Sequence, residues 1–138
     1  MDLPQTGGCV CGALRYELTA PPQSQMYCCC TDCQKMTGGA MSVNLLVPAG
    51  SIRITRGTPR TFVTPGDSGL GVVREFCGDC GTQIVSTPRA LATVTVLKAG
   101  TLDDTSWVQP QAAIYTSSAP PWAALPEGLP RFPKLPPR

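Results

Sequence analysis

Two short stretches, G-G-C-V-C-G at residues 7–12 and C-G-D-C-G at residues 77–81, decide the fold of this 138-residue chain. Each stretch places two cysteines on a tight turn, and the spacing of the second pair is typical of a zinc knuckle. Glycine gives the backbone the freedom that such a turn needs. We therefore predict one tetrahedral structural zinc site joining the amino-terminal strand to the middle of the chain. Its four ligands are Cys9, Cys11, Cys77 and Cys80.

Cysteine use favours metal binding over disulfides. The chain begins M-D-L-P-Q-T, without the basic and apolar segments of a secretory signal, which predicts a cytoplasmic protein. Eight cysteines in a reducing compartment indicate metal or redox chemistry. Buried free cysteines and disulfide pairs remain as alternatives for the four-cysteine set, and the spacing does not distinguish zinc from iron.

A second cluster, Y-C-C-C-T-D-C-Q-K at residues 27–35, holds the other four cysteines. In an extended segment Cys28 and Cys30 face the same side, and Cys33 can return toward them from the following turn. Three sulfurs leave one coordination position open, which is the arrangement of zinc sites that perform chemistry. Two alternatives stay open: a second structural zinc with Cys29 as fourth ligand, and a redox pair of Cys30 and Cys33.

The rest of the chain is typical of a single all-β domain. Short β-branched segments alternate with turns rich in Gly and Pro, which occur 14 and 15 times and leave little room for helix. The predicted strands cover residues 13–19, 41–47, 52–56, 60–64, 71–76 and 93–98. One helical turn is predicted from Thr31, as its cap, to Gly38, where it ends.

The proline-rich tail, residues 119–138, has two interpretations. Its composition is that of a disordered segment. Its apolar side chains favour instead an extended strap that packs on the domain. These side chains are Trp122, Leu125, Leu129 and Phe132.

Composition also limits the function. The net charge is +2 with no basic run, which predicts neither a nucleic-acid nor a membrane partner. The chain has no histidine, so metal ligation and proton transfer must use sulfur, carboxylate, tyrosine or water. Oligomeric state is not indicated.

Taken in order, the motifs resemble those of the glutathione-dependent formaldehyde-activating enzyme family, whose relatives include centromere protein V. The resemblance runs from about Gly7 to Phe132 through G-G-C-V-C-G-A-L-R-Y-E, C-x-C-T-D-C-Q-K-M-T-G, R-E-F-C-G-D-C-G-T and K-A-G-T-L-D-D. It implies coiled, tent-like β-sheets around the four-cysteine zinc, and a second, labile zinc on Cys28, Cys30 and Cys33. It also implies carbon–sulfur lyase activity on formaldehyde and glutathione. Cys29 stands where the family usually has histidine.

Several other residues are candidates for the site. Asp32, Asp67 and Glu75 are candidates for proton transfer, although each is also explained as a turn, cap or surface residue. The pair Asp103 and Asp104 is interpreted as a turn. The cations available for the carboxylates of glutathione are Lys35, Arg53, Arg56, Arg74 and Lys98.

Two functions without turnover remain alternatives to the enzyme. One is a zinc-stabilised module that binds another protein through the apolar tail, and the other is a zinc or thiol sensor. Metal stoichiometry and glutathione titration distinguish the three hypotheses.

Overall fold

The computed structural model describes residues 1–137, and strands make up most of the regular secondary structure in this range. The prediction of an all-β fold with little helix is confirmed, since one seven-residue helix and two short 3₁₀ turns accompany the strands. The elements are β1 (Gln5–Gly8), β2 (Arg15–Leu18), β3 (Ser24–Cys28), α1 (Thr31–Thr37), β4 (Ser42–Pro48), β5 (Ile52–Arg56), β6 (Arg60–Thr64), β7 (Val72–Phe76), β8 (Gln83–Pro88), β9 (Val94–Lys98) and β10 (Ala112–Ile114). No helix in this range is both long and apolar enough to cross a membrane.

The strands form two sheets. The smaller has the order β1-β2-β5, and the larger has the order β10-β3-β4-β9-β8-β7-β6. Neighbours are antiparallel throughout, except that β10 runs parallel to β3. The antiparallel pairing follows from the short connections between consecutive strands.

One face of the seven-stranded sheet packs against the three-stranded sheet and forms the main core. Side chains alternate between faces along a strand, so Leu45 and Val47 of β4 point to the same side. They join Leu97 of β9 and Val85 of β8 in a buried cluster that Tyr16 and other β2 residues complete. The core therefore uses alternate residues of β2 and β4, whereas β8, whose pairing with β7 is irregular, contributes the adjacent residues Ile84 and Val85.

The residues that alternate with the core residues point to the other face of the same sheet, and several of them are polar. Asn44 lies opposite Lys98 in the β4–β9 pair, and Ser86 lies opposite Arg74 in the β7–β8 pair. Asn44, Arg74 and Ser86 are nevertheless buried. Because buried polar groups are costly unless partnered, this polar face indicates a functional surface.

The sequence located six strands and missed four. Residues 52–56 and 60–64 coincide with β5 and β6, and the other four predicted strands differ by one to three residues at their ends. The strands β1, β3, β8 and β10 were not predicted.

The helix lies where the sequence placed it, but its predicted cap is wrong. Cys30 is the N-cap residue, with extended backbone, and its sulfur accepts a hydrogen bond from the Cys33 N–H at 3.3 Å. Thr31 is already the first helical residue. The helix ends at Gly38 as predicted, in the left-handed conformation with φ of 70°.

The tail folds back beside β10 and the residues that follow it, and we call residues 115–137 the strap. The Phe132 N–H donates to the Ala113 carbonyl at 2.9 Å, and the Thr116 N–H donates to the Phe132 carbonyl at 3.1 Å. The Phe132 side chain packs against the cluster that contains Cys28 and Cys33. Trp122, which was expected to pack, is 69% exposed.

Gly57 directly follows β5 and lies against Ala13, which precedes β2. It therefore tests the contact between the ends of these two neighbouring strands. Its φ is +81°, and a Cβ there would collide with the Ala13 carbonyl oxygen. We expect Gly57→Ala to lower the free energy of unfolding by about 2–4 kcal/mol, from left-handed strain and overpacking together. Gly50→Ala is the matched control, because Gly50 has φ of +83° and open space around it. Urea unfolding of both variants measures the difference, and equal losses would contradict the collision.

Candidate metal centres and cleft

The first metal centre lies where two turns meet. Cys9 and Cys11 belong to the β1–β2 connection, and Cys77 and Cys80 belong to the turn between β7 and β8. The Gly81 N–H donates to the Cys77 carbonyl at 2.8 Å, and Gly81 has φ of +81°, which closes this turn. The Val10 N–H donates to the Thr82 hydroxyl at 3.2 Å, which ties the two turns together.

The four sulfurs fit one tetrahedral ion. They lie within 4.8 Å of one another, with 3.6 Å between Cys9 and Cys11 and 3.7 Å between Cys11 and Cys77. A tetrahedral zinc with bonds of about 2.3 Å requires sulfur–sulfur distances of about 3.8 Å. All eight cysteines are free thiols, so the disulfide alternative has no support in the structure.

The protonation of these sulfurs also favours a bound cation. Hydrogen bonds from the Thr82 hydroxyl and N–H lower the pKa of Cys80 to about 5. The Ala13 N–H favours the thiolate of Cys11, but the neighbouring sulfurs outweigh it and raise its pKa to about 12. Four crowded thiolates repel one another without a cation, and a divalent metal removes that repulsion.

The second centre is formed by Cys28 at the end of β3, Cys30 at the cap of α1, and Cys33 in its first turn. Their three sulfurs also lie within 4.8 Å of one another, and Cys28 and Cys33 are buried. We call these residues the cysteine trio. Both groups of cysteines can hold a metal ion, and the trio supplies one ligand fewer than the four-cysteine group.

Cys29 does not belong to either group. Its side chain is fully buried, and its N–H donates to the Ile114 carbonyl at 3.0 Å, which joins β3 to β10. The alternative of a second four-cysteine site therefore has no support among the described residues.

The trio favours a thiolate at Cys33 and thiols at its other two members. Hydrogen bonds from Cys28 and Cys30 favour the thiolate of Cys33 and lower its pKa to about 2. The pKa of Cys28 is raised, because it shares its proton with the neighbouring sulfurs and is largely desolvated. Burial lowers the pKa of Lys98. The three sulfurs are close enough to favour its charged ammonium and so partly offset this lowering.

The trio opens into a cleft of about 620 Å³ on the polar face of the seven-stranded sheet. This volume is in the range of small-molecule sites. The walls are formed by α1, by the loop between β6 and β7, and by the strap after β10. The floor is the face of β4, β7, β8 and β9 that points away from the main core. The arrangement places soft sulfur ligands and positive side chains around one chamber.

Two of the three predicted acids reach this cleft. Asp32 lines it and pairs with the Arg74 guanidinium at 3.2 Å, while Asp67 lines it from the β6–β7 loop. Glu75 has the opposite parity and lines a separate cavity of about 110 Å³ near Arg15.

Two of the five predicted cations line the cleft, namely Arg74 and Lys98. Arg74 is buried, and it also donates to the Thr64 hydroxyl at 2.9 Å. The remaining three, Lys35, Arg53 and Arg56, are exposed and do not line it.

The sequence did not identify six polar residues of the cleft: Asn44, Ser86, Tyr115, Ser117, Ser118 and Lys134. Tyr115 has φ of +55°, which is unusual for a residue with a side chain. Burial and the nearby Asp67 carboxylate raise its pKa to about 12, so its hydroxyl stays protonated. Lys134 approaches Asp67 at 4.0 Å across the cleft mouth.

Asp103 has a structural role outside the cleft. It accepts hydrogen bonds from the Arg15 guanidinium and from the Thr6 hydroxyl, which lower its pKa. A depressed carboxyl pKa stabilises the fold above the unfolded-state pKa, and that stability is lost as pH falls through the folded-state pKa.

We expect Asp103→Asn to lower the free energy of unfolding by about 0.5–1 kcal/mol at neutral pH, because Asp103 is half exposed. The difference from the unsubstituted protein should shrink below about pH 4 as the carboxyl protonates. Thermal unfolding between pH 3 and pH 7 measures it, and Asp104→Asn, which keeps the Arg15 contact, is the control. A pH-independent difference would contradict this role.

The comparisons with known proteins agree with this architecture. The family model described as glutathione-dependent formaldehyde-activating enzyme matches residues 4–118, which include all eight cysteines. A solved structure of a Rhodobacter sphaeroides protein superimposes with a TM-score of 0.58 at 19% identity. The match covers 76% of this chain and 91% of that one, and it shows a common fold.

Proposed function

The chain belongs to the glutathione-dependent formaldehyde-activating enzyme family, and on that basis we propose that it is a zinc-dependent carbon–sulfur lyase. Its reaction joins formaldehyde and glutathione to S-hydroxymethylglutathione, or runs in reverse. The observation that supports this most directly is the cysteine trio at the base of a cleft of about 620 Å³ with three cations in its wall. A reaction at sulfur needs a place for a thiolate and a chamber for the rest of the thiol.

We assign zinc to both groups of cysteines. Cys9, Cys11, Cys77 and Cys80 would hold a structural zinc, because four sulfurs complete its coordination. Cys28, Cys30 and Cys33 would hold a labile one. Zinc held by three cysteines supplies a position at which a substrate thiol is stabilised as its thiolate at neutral pH.

The residues around the trio bind and orient the thiol. Arg74 provides positive charge for a carboxylate of glutathione, Lys98 provides positive charge near the cysteine trio, and both belong to the rigid sheet. The Asp32 pair fixes the Arg74 guanidinium from the side of α1. The Gln34 amide donates to the carbonyls of Cys29 and Ser118, which holds α1 against the strap.

Proton transfer must proceed without histidine. When sulfur adds to formaldehyde, the carbonyl electron pair moves to oxygen, and that oxygen takes up a proton. Asp32 and Asp67 are the carboxylates of the cleft, and the Tyr115 hydroxyl is a donor beside Asp67. We propose that one of the two acids, directly or through water, exchanges this proton with the adduct.

The reaction is assigned to the cytoplasm, where millimolar thiols keep free cysteines reduced. The eight free thiols of the chain agree with that assignment.

Exchange spectroscopy on ¹³C-formaldehyde and glutathione tests the function. With zinc-loaded protein we expect interconversion of the free aldehyde and the adduct to be at least tenfold faster than the spontaneous reaction. Cys30→Ser should return the rate to the spontaneous value, while Lys35→Ala, which removes an exposed cation outside the cleft, should not change it. Glutathione binding without acceleration would contradict the lyase and favour a binding module or thiol sensor.

A further inference from the structure

Asn44 and Lys98 form a fixed pair on the polar face of the large sheet. The β4–β9 register places them directly opposite each other. The Lys98 ammonium donates to Asn44 Oδ1 at 3.0 Å, and the Ser42 hydroxyl donates to the same oxygen at 2.9 Å. Asn44 and Ser42 are both buried, so the pair is held by the sheet and not by a mobile loop.

These two bonds determine which way the Asn44 amide points. An ammonium can only donate, so the atom that it contacts must be the carbonyl oxygen of the amide. That oxygen then has both of its acceptor positions filled. The amide nitrogen makes no hydrogen bond to residues 1–137, and it is open to solvent, because every fully buried side-chain nitrogen or oxygen in this range has a partner. The ammonium makes one hydrogen bond. Unused N–H donors from both residues therefore remain beside the cleft that both residues line.

The pair is connected to the cysteine trio. Ser42, whose hydroxyl donates to Asn44, lies directly opposite Cys28 in the β3–β4 pair. The trio thus lies at one end of a chain of contacts, and the two free donors lie at the other. This is the arrangement needed to hold a sulfur and, a short distance away, an oxygen of the same molecule.

We propose that Asn44 and Lys98 are the oxygen-binding site of the cleft. Their N–H groups would bind the carbonyl oxygen of the aldehyde and the same oxygen in the adduct, a thioether-like compound with oxygen on the carbon next to sulfur. This inference rests on the proposed function, and it specifies how that site distinguishes an oxygen-bearing adduct from a simple thioether.

The chemistry explains why donors belong there. A thiolate forms the carbon–sulfur bond while the carbonyl π pair moves to oxygen, so negative charge develops on that oxygen before a proton reaches it. Donors fixed in advance stabilise this charge, and removing one of them commonly lowers turnover about 10²–10³-fold. The rigid sheet setting meets the requirement that such donors should not reorganise during the reaction.

Binding of two matched ligands provides the test. S-acetylglutathione carries a carbonyl oxygen on the carbon next to sulfur, and S-isopropylglutathione carries a methyl group in its place. With zinc-loaded protein, calorimetry should give about tenfold tighter binding of the acetyl compound, the value of one hydrogen bond to a charged group. Neither ligand needs turnover to be bound.

Two variants remove the donors in different ways. Asn44→Asp keeps an oxygen for Lys98 and Ser42 but replaces the amide N–H groups with a second acceptor, and it should reduce the preference to about twofold or less. Lys98→Met should do the same. Lys134→Met, which removes a cation from the mouth of the cleft, should leave the tenfold preference intact. Zinc content and circular dichroism verify that each variant is folded, and Lys98→Met decides alone if Asn44→Asp does not fold.

Equal binding of the two ligands by the unsubstituted protein would overturn this inference while leaving the proposed function in place. Retention of the preference in both donor variants would do the same. Binding of glutathione itself without either S-substituted ligand would overturn this inference alone, and failure to bind glutathione would overturn the proposed function and this inference together.

Discussion

Cys77→Ser is expected to prevent the chain from folding. The Cys77 side chain is 2% exposed, and its sulfur lies 3.7 Å from that of Cys11. Structural zinc contributes on the order of 10 kcal/mol or more to such sites. The whole stability of a domain of this size is about 5–15 kcal/mol. A serine in place of one thiolate should therefore remove most of the net stability.

Solubility, circular dichroism and metal content by emission spectroscopy measure the effect. Cys29→Ala is the matched control, because Cys29 is a fully buried cysteine outside both groups. It removes one sulfur from a packed site and should cost about 1–2 kcal/mol. A folded Cys77→Ser protein that retains two zinc ions would contradict the structural role of the four-cysteine site.

Cys33→Ser is expected to abolish activity without unfolding the protein. The variant should stay folded, lose one of two zinc ions and lose acceleration of adduct exchange. Cys33 is buried, so the hydroxyl costs about 1–3 kcal/mol, less than the loss of the structural site. The remaining pair, Cys28 and Cys30, offers only two ligands.

Metal counting, thermal unfolding and the exchange assay, run together, measure this prediction. Cys29→Ala again serves as the control and should retain both metals and full turnover. If Cys33→Ser and Cys77→Ser are equally unfolded, the division into a structural and an open site is wrong.

The cysteine groups could be predicted from sequence because ligand spacing is a local property. Cys77 and Cys80 lie on one turn, and the trio lies within six residues. Cys11 and Cys77 are 66 positions apart in the sequence. We could still predict that the two pairs meet, because neither pair alone supplies the four ligands of a structural zinc site.

Two of the four missed strands, β1 and β10, lack a local signal. β1 is Q-T-G-G and β10 is A-A-I, and neither has the β-branched alternation of a half-buried strand. β10 is set by its parallel pairing with β3, a contact between residues more than 80 positions apart. β3 was missed because only its last two residues, Tyr27 and Cys28, belong to the cysteine segment that the sequence analysis treats as extended.

The cleft residues needed the register of the sheet. Asn44 lies inside a strand that was predicted correctly, and a polar residue between apolar neighbours could have marked it as functional. Its partner Lys98 is 54 positions away and was one cation among five. Tyr115 and Lys134 come from the strap, whose path depends on backbone bonds that no pattern in the tail predicts.

The 66-residue separation across the four-cysteine site has a consequence for synthesis of the protein. Cys9 and Cys11 leave the ribosome first and then wait for Cys77 and Cys80, a delay of roughly 3–13 s at about 5–20 residues per second. The emerging chain holds only half of the four-cysteine site during that interval, so its final fold must await the second pair. Stalled nascent chains that end before Cys77 should be digested by protease with or without zinc, and chains that extend past β9 should become resistant when zinc is present.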